Sequence, residues 1–76
     1  MDGIALNKKE ANTLNNQITL LLNPLADFNS SKYCKPLELK SGLFLVLKPT
    51  NKEWLNMLDI KWEKFNVSNL LISDII

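Results

Sequence analysis

The sequence predicts a small α+β domain with the element order α-β-β-α-β, in which two helices pack on one face of an antiparallel sheet. Apolar residues recur at steps of three and four over residues 8–25 and again over 51–65, which is the spacing of an amphipathic helix. Between them, residues 37–47 combine period-two alternation with a continuous apolar run, which is typical of a β-hairpin. The length predicts a single domain over residues 1–76.

The first predicted helix runs from about Lys8 to Leu22. Asn7 can cap it, and Glu10 follows three residues later, which is a capping box with Asn in place of Ser or Thr. Its apolar stripe consists of Ala11, Leu14, Ile18, Leu21, Leu22 and Leu25. The opposite, polar face consists of Asn12, Asn15, Asn16 and Thr19. We expect solvent to cover this face; a hydrogen-bonding contact surface is the alternative.

The helix is predicted to end at Asn23-Pro24, because proline cannot continue it. A short helical turn over Leu25–Phe28 follows, and residues 28–36 are predicted to form the longest loop of the chain.

The hairpin is predicted to turn through a two-residue connection, Ser41-Gly42, since glycine tolerates positive φ. In that register the facing pairs are Leu39–Phe44 and Leu37–Val46. Its second strand, Leu43–Leu47, is apolar on both faces and should be central in a sheet or covered on both sides. A third strand must then come from the C-terminal part of the chain, from a second subunit, or from both.

The second helix is predicted from Asn51 to about Phe65, with Thr50 and Glu53 as its capping box. An arc about 100° wide carries Trp54, Leu55, Leu58, Trp62 and Phe65. We expect this arc to face the sheet, with one indole at the margin. Met57 and Ile60 fall outside the arc and form a second, smaller apolar surface.

The C-terminal segment is predicted as a strand over about residues 69–73. An amphipathic turn is the alternative, and it would use Val67, Leu70, Leu71 and Ile75. Ile75 and Ile76 are expected to pack against the rest of the protein, because polar residues are more usual at a free terminus.

The chain has one cysteine and no histidine, so it can form neither an internal disulfide nor an ordinary zinc site. We predict no cofactor and no metal. Small domains usually need such braces, and 46% of the residues are hydrophobic. The combination predicts self-association, most simply as a homodimer.

Two alternative functions depend on the loop at residues 28–36. Lys32, Tyr33 and Lys35 are candidates for contact with an anion or a nucleic acid, although the net charge is only +1 and every cation is lysine. Cys34 lies between these lysines, which would lower its pKa and favour a nucleophilic thiolate. A Cys-dependent enzyme is the more remote alternative, because no base or oxyanion site accompanies the thiol.

The function predicted from the sequence is a non-enzymatic protein-protein interaction module. It would act as a small regulator, inhibitor or chaperone-like adaptor that covers a site on a larger protein. Its predicted partner-binding residues are Leu43, Leu45, Leu47, Trp54, Met57 and Ile60. No apolar run suits a membrane span or a signal peptide, and the lone cysteine suits a reducing compartment. We therefore expect a cytoplasmic protein without membrane partners.

Overall fold

A computed structural model describes residues 2–33 and 35–75 and shows a four-stranded antiparallel sheet with helices, as the α+β prediction requires. The strands are β1 (Asp2–Leu6), β2 (Leu37–Glu38), β3 (Phe44–Leu47) and β4 (Val67–Asn69). Their spatial order is β2-β3-β1-β4. The helices are α1 (Lys8–Leu22), α2 (Ser30–Tyr33) and α3 (Lys52–Met57). Two 3-10 turns cover Trp62–Lys64 and Ile72–Asp74.

The N-terminal strand β1 is an addition to the predicted element order. It lies in the middle of the sheet, where it pairs with β3 on one side and with β4 on the other. The sequence did not predict it, because Asp, Gly and Ala have low strand propensity and occupy three of its five positions. The third strand therefore comes from the N-terminal end of this chain, and no second subunit is needed to supply it.

Strand β3 is buried on both faces within a single chain. Leu45 is 1% exposed and Val46 is 0% exposed, although side chains of consecutive strand residues point to opposite faces. Helix α1 packs against β3 and shares one core with it. The apolar character of both faces is thus explained by burial within this chain.

The hairpin turns through three residues, so the predicted two-residue connection is wrong. The Leu39 N–H donates to the Leu43 carbonyl at 2.8 Å, and the Gly42 N–H donates to the Leu39 carbonyl at 3.0 Å. Gly42 has φ +89°, the left-handed conformation that ends a three-residue loop. The observed pairs are Leu37–Leu45 and Glu38–Phe44. One extra loop residue has shifted the register by one from the prediction.

Helix α1 begins and ends where the sequence predicts. The Asn7 side chain accepts from the Glu10 N–H at 2.8 Å, which is the predicted N-cap bond, and its amide donates to Oε1 of Glu10 at 3.1 Å in place of the backbone bond of a capping box. Its most buried apolar residues are Ala11, Leu14, Ile18 and Leu22. Asn15 corrects the prediction of a solvent-covered polar face, because it is buried and donates to the Tyr33 carbonyl.

The second predicted helix is much shorter than residues 51–65. Helix α3 ends at Met57, because Leu58 turns to an extended conformation and is buried in the core. The two tryptophans therefore lie on separate elements, Trp54 in α3 and Trp62 in a 3-10 turn. Helix propensity contributes little stability to a helix of six residues. The burial of Leu58 in an extended conformation therefore sets the C-terminal end of α3.

The N-cap of α3 is also different from the prediction. The side-chain oxygen of Asn51, and not that of Thr50, accepts from the backbone N–H groups of Glu53 at 2.8 Å and Trp54 at 3.3 Å. The helix starts one residue later than a cap at Thr50 would place it.

The C-terminal segment returns from one edge of the sheet to the other. Strand β4 ends at Asn69, so the predicted strand over residues 69–73 overlaps it at one residue. Ile75 then pairs with Leu39 in an isolated antiparallel bridge, and the Lys40 N–H donates to the Asp74 carbonyl at 3.1 Å. Ile75 is half-buried, as expected. Ile76 and Cys34, with the predictions made for them, lie outside the described residues.

Candidate functional site

The predicted partner-binding residues do not form one surface. Leu45 and Leu47 are buried in the core of the chain and are not available to a partner. Leu43 is 39% exposed and Met57 is 50% exposed, while Ile60 is half-buried. The strand residues were assigned to a surface because nothing in the sequence indicated that they would share a core with residues of α1 and β1.

Trp54 is part of an internal aromatic cluster. Its ring meets the ring of Phe28 edge-on, with the centroids 5.7 Å apart, and Phe28 stacks on Tyr33 at 5.1 Å. These ring contacts connect α3, through Phe28, to Tyr33 at the end of α2. Trp54 is half-buried, and its ring contacts are made within the chain.

The predicted anion or nucleic-acid contact is also changed by the structure. Tyr33 is only 5% exposed, and one face of its ring is covered by Phe28, so it offers no open platform for a base. Burial raises the pKa of Tyr33 above its ordinary value of 10. The Lys32 ammonium lies 5.7 Å from the Tyr33 ring centroid, and Lys35 is exposed. Nucleic-acid binding stays a prediction that would depend on these two lysines.

An open groove with apolar residues in its lining lies between α1 and residues 59–65. A cleft of about 420 Å³ is lined by Leu6, Lys9, Glu10, Thr13, Leu14, Gln17 and Phe65. A second cleft of about 350 Å³ is lined by Leu14, Gln17, Asp59, Ile60, Lys61, Lys64 and Phe65. The two clefts are adjacent, since they share Leu14, Gln17 and Phe65, and together they are named here the α1 groove.

One wall of the α1 groove follows from helical spacing. Residues 10, 13, 14 and 17 are three or four apart, so their side chains share one face of α1. From Lys9 to Gln17 the helix rises about 12 Å. This wall therefore extends over about two helical turns.

The other wall exists because α3 stops early. Between Leu58 and the 3-10 turn at Trp62–Lys64 the chain is not helical. The Phe65 N–H donates to the Trp62 carbonyl at 3.0 Å and closes this turn. The Lys48 ammonium lies 5.9 Å from the Trp62 ring centroid on the same turn. Phe65 is thereby placed against α1, beside Leu14 and Gln17.

The floor of the α1 groove is apolar and only partly covered. Leu14 is buried, whereas Leu6, Ile60 and Phe65 are half-buried. The sequence identified Ile60 as a candidate but missed the other three, because Phe65 and Leu14 were assigned to the core and residues 2–6 to no element. No signal in the sequence brings positions 6, 14 and 65 together.

The described residues contain no group of three or more His, Cys, Asp or Glu side chains placed to hold a metal ion. No helix in the described part of the chain has both the length and the hydropathy of a membrane span. The chain matches no protein-family model, and comparison with curated proteins and with solved structures gives no match. The α1 groove is therefore interpreted from its own geometry.

Proposed function

We propose that the protein is a non-enzymatic interaction module that binds a segment of a larger protein in the α1 groove. It would act as a small regulator, inhibitor or adaptor by covering that segment. The observation that supports the proposal is the partly exposed apolar floor formed by Leu6, Ile60 and Phe65 beside buried Leu14. Removal of apolar area from water by a partner is favourable by about 25 cal/mol per Å².

Site-specific photocrosslinking tests where the partner binds. Benzoylphenylalanine is introduced at Gln17 or Lys64, which line the α1 groove, and at Asn16 or Lys40, which do not. We expect the first pair to capture one protein from the native host and the second pair to capture none of it. Capture of that protein from Asn16 or Lys40 alone would place the partner surface elsewhere and contradict the proposal.

The captured protein is then purified and its affinity is measured against two sets of variants. Phe65→Ser and Ile60→Ser change the α1 groove, while Leu43→Ser and Met57→Ser change exposed apolar residues that do not line it. We expect binding to weaken about tenfold or more for the first set, as for contacts at the centre of an interface, and to stay close to wild type for the second. Circular dichroism checks that each variant is folded.

We also propose that the chain self-associates as a homodimer. Leu20 and Leu71 are the most exposed large apolar residues of the described chain, and no disulfide can brace so small a fold. Sedimentation equilibrium at micromolar concentration should give twice the chain mass, and Leu20→Lys or Leu71→Lys should reduce it. A monomer at all concentrations would remove this part of the proposal.

A cytoplasmic location is the last part of the proposal, and it is supported by the single cysteine of the chain. Fractionation of host cells with an antibody against the protein checks it.

A further inference from the structure

We propose that the segment bound in the α1 groove is a short amphipathic helix with apolar anchors flanked by carboxylates. This inference rests on the proposed function, since it names the chemistry of the partner at that same site. Three features of the α1 groove support it: the charge of its rim, its length, and the kind of element that forms its walls.

The rim carries more available cations than available anions. Lys9, Lys61 and Lys64 line the α1 groove together with Glu10 and Asp59. Within the described residues, none of these lysines is within 4.0 Å of a carboxylate in an ion pair. The Glu10 carboxylate accepts a hydrogen bond from the Asn7 amide at 3.1 Å, so it is partly occupied by the helix cap. Carboxylates of a partner would complement the three ammonium groups.

The length and walls of the α1 groove favour a helix as the occupant. Its wall of about 12 Å matches two helical turns, which present about two anchors at positions i and i+4. An extended peptide usually binds by adding a strand to a free sheet edge. The walls here are α1 and residues 59–65, and neither is a strand edge; β1, which contributes Leu6, pairs with β3 over Gly3–Leu6 and with β4 over Asp2–Ile4. A helix brings its own backbone hydrogen bonds and needs only side-chain contacts.

The test uses a displayed library of helical peptides about 14 residues long, which is roughly four turns. Two anchor positions are varied among apolar residues, and the flanking positions are varied among Glu, Gln and Lys. Selection is carried out against the wild-type chain at low salt. We expect the bound pool to be enriched in Glu at the flanking positions, and to bind about fivefold to tenfold more weakly at high salt.

Charge reversal supplies the matched comparison. The double variant Lys61→Glu/Lys64→Glu should select Lys in place of Glu, whereas Lys40→Glu/Lys52→Glu, whose residues do not line the α1 groove, should select the same pool as wild type. A pool that requires Phe65 but shows no preference for Glu would overturn this inference and leave the proposed function standing. A pool that binds Phe65→Ser as well as wild type would overturn both, and the absence of any enriched pool would overturn this inference alone.

Discussion

The side-chain amide of Asn15 donates a hydrogen bond to the backbone carbonyl of Tyr33, and this contact joins the middle of α1 to the end of α2. Asn15 is 2% exposed, so the amide is out of reach of water. The Thr19 hydroxyl lies 2.9 Å from the same carbonyl. A buried residue of the predicted polar face of α1 therefore fixes the position of α2, which follows the helix in the chain.

Replacing Asn15 should cost stability out of proportion to its size. Asn15→Ala leaves the Tyr33 carbonyl with one fewer donor in a buried site, and we expect the free energy of unfolding to fall by about 1–3 kcal/mol. Asn16→Ala is the matched control, since Asn16 is exposed on the same helix, and the better helix propensity of alanine should leave it neutral or slightly stabilised. Urea unfolding followed by circular dichroism measures both. Equal losses of stability in the two variants would contradict a stabilising role for the buried hydrogen bond from Asn15 to Tyr33.

The two glycines distinguish a packing requirement from a conformational one. A Cβ at Gly3 would lie 2.7 Å from the Val46 carbonyl oxygen and would meet the Leu45 side chain, so Gly3→Ala should lose about 1–3 kcal/mol through overpacking. A Cβ at Gly42 would meet no heavy atom within 4 Å, but φ is +89° there, and Gly42→Ala should lose about 1–2 kcal/mol.

Asparagine separates these two causes. Asn tolerates the left-handed region better than Ala, so Gly42→Asn should retain more stability than Gly42→Ala. At Gly3 the clash is steric, and Gly3→Asn should be no better than Gly3→Ala. Thermal unfolding of the four variants gives the comparison, and recovery of stability by Gly3→Asn would contradict the close packing of β1 on β3.

The cap of α3 is testable one residue at a time. Asn51→Ala removes the oxygen that accepts from Glu53 and Trp54, and should lower the free energy of unfolding by about 0.5–2 kcal/mol. Thr50→Ala should change it by less than about 0.5 kcal/mol, as for an exposed residue without such a role. Chemical denaturation measures both, and the reverse ranking would show that Thr50 is the cap.

The raised pKa of Tyr33 makes stability sensitive to alkaline pH. Burial disfavours the phenolate in the folded chain, so the unfolded chain ionises first as the pH rises. The contribution of neutral Tyr33 to the free energy of unfolding is therefore complete below about pH 10, the pKa in the unfolded chain. It is lost as the pH rises toward the pKa in the folded chain. Tyr33→Phe should remove the part of the alkaline loss of stability that comes from ionisation of Tyr33.

Tyr33 is the single tyrosine of the chain, so the near-ultraviolet absorbance of phenolate reports on it directly. The folded chain should titrate at higher pH than the chain unfolded in urea. A folded midpoint at or below the unfolded one would show that the ring is open to water.

Helix α1 could be predicted from the sequence because its signals are local. The Asn7 cap and the stripe over residues 8–25 lie within one segment, and the structure follows them except at Leu21, which is 39% exposed. The second helix has an equally clear stripe, but Leu58 reaches the core in an extended conformation, so the same pattern is satisfied by a short helix and a 3-10 turn. Periodicity alone did not distinguish these solutions.

The rest of the fold and the site depend on contacts between distant segments. Strand β1 has weak propensity and exists through its pairing with β3 and β4, and the hairpin register was set by a loop with one more residue than predicted. The α1 groove brings Leu6 and Leu14 to Phe65. Of its apolar residues, Ile60 alone was predicted, since its exclusion from the helical arc was visible in the sequence.

The last prediction concerns β3 and asks whether its side chains stabilise the core of the chain or a contact with a second molecule. Leu45→Ala removes a side chain that is 1% exposed, and should lower the free energy of unfolding by about 2–5 kcal/mol. Leu43→Ala is the control from the same hairpin, and should cost much less because Leu43 is 39% exposed. If Leu45 served a dimer interface instead, the loss would grow with protein concentration, since the wild-type chain would gain more stability from association than the variant. Denaturation at two concentrations tests this, and we expect the loss for Leu45→Ala to be the same at both.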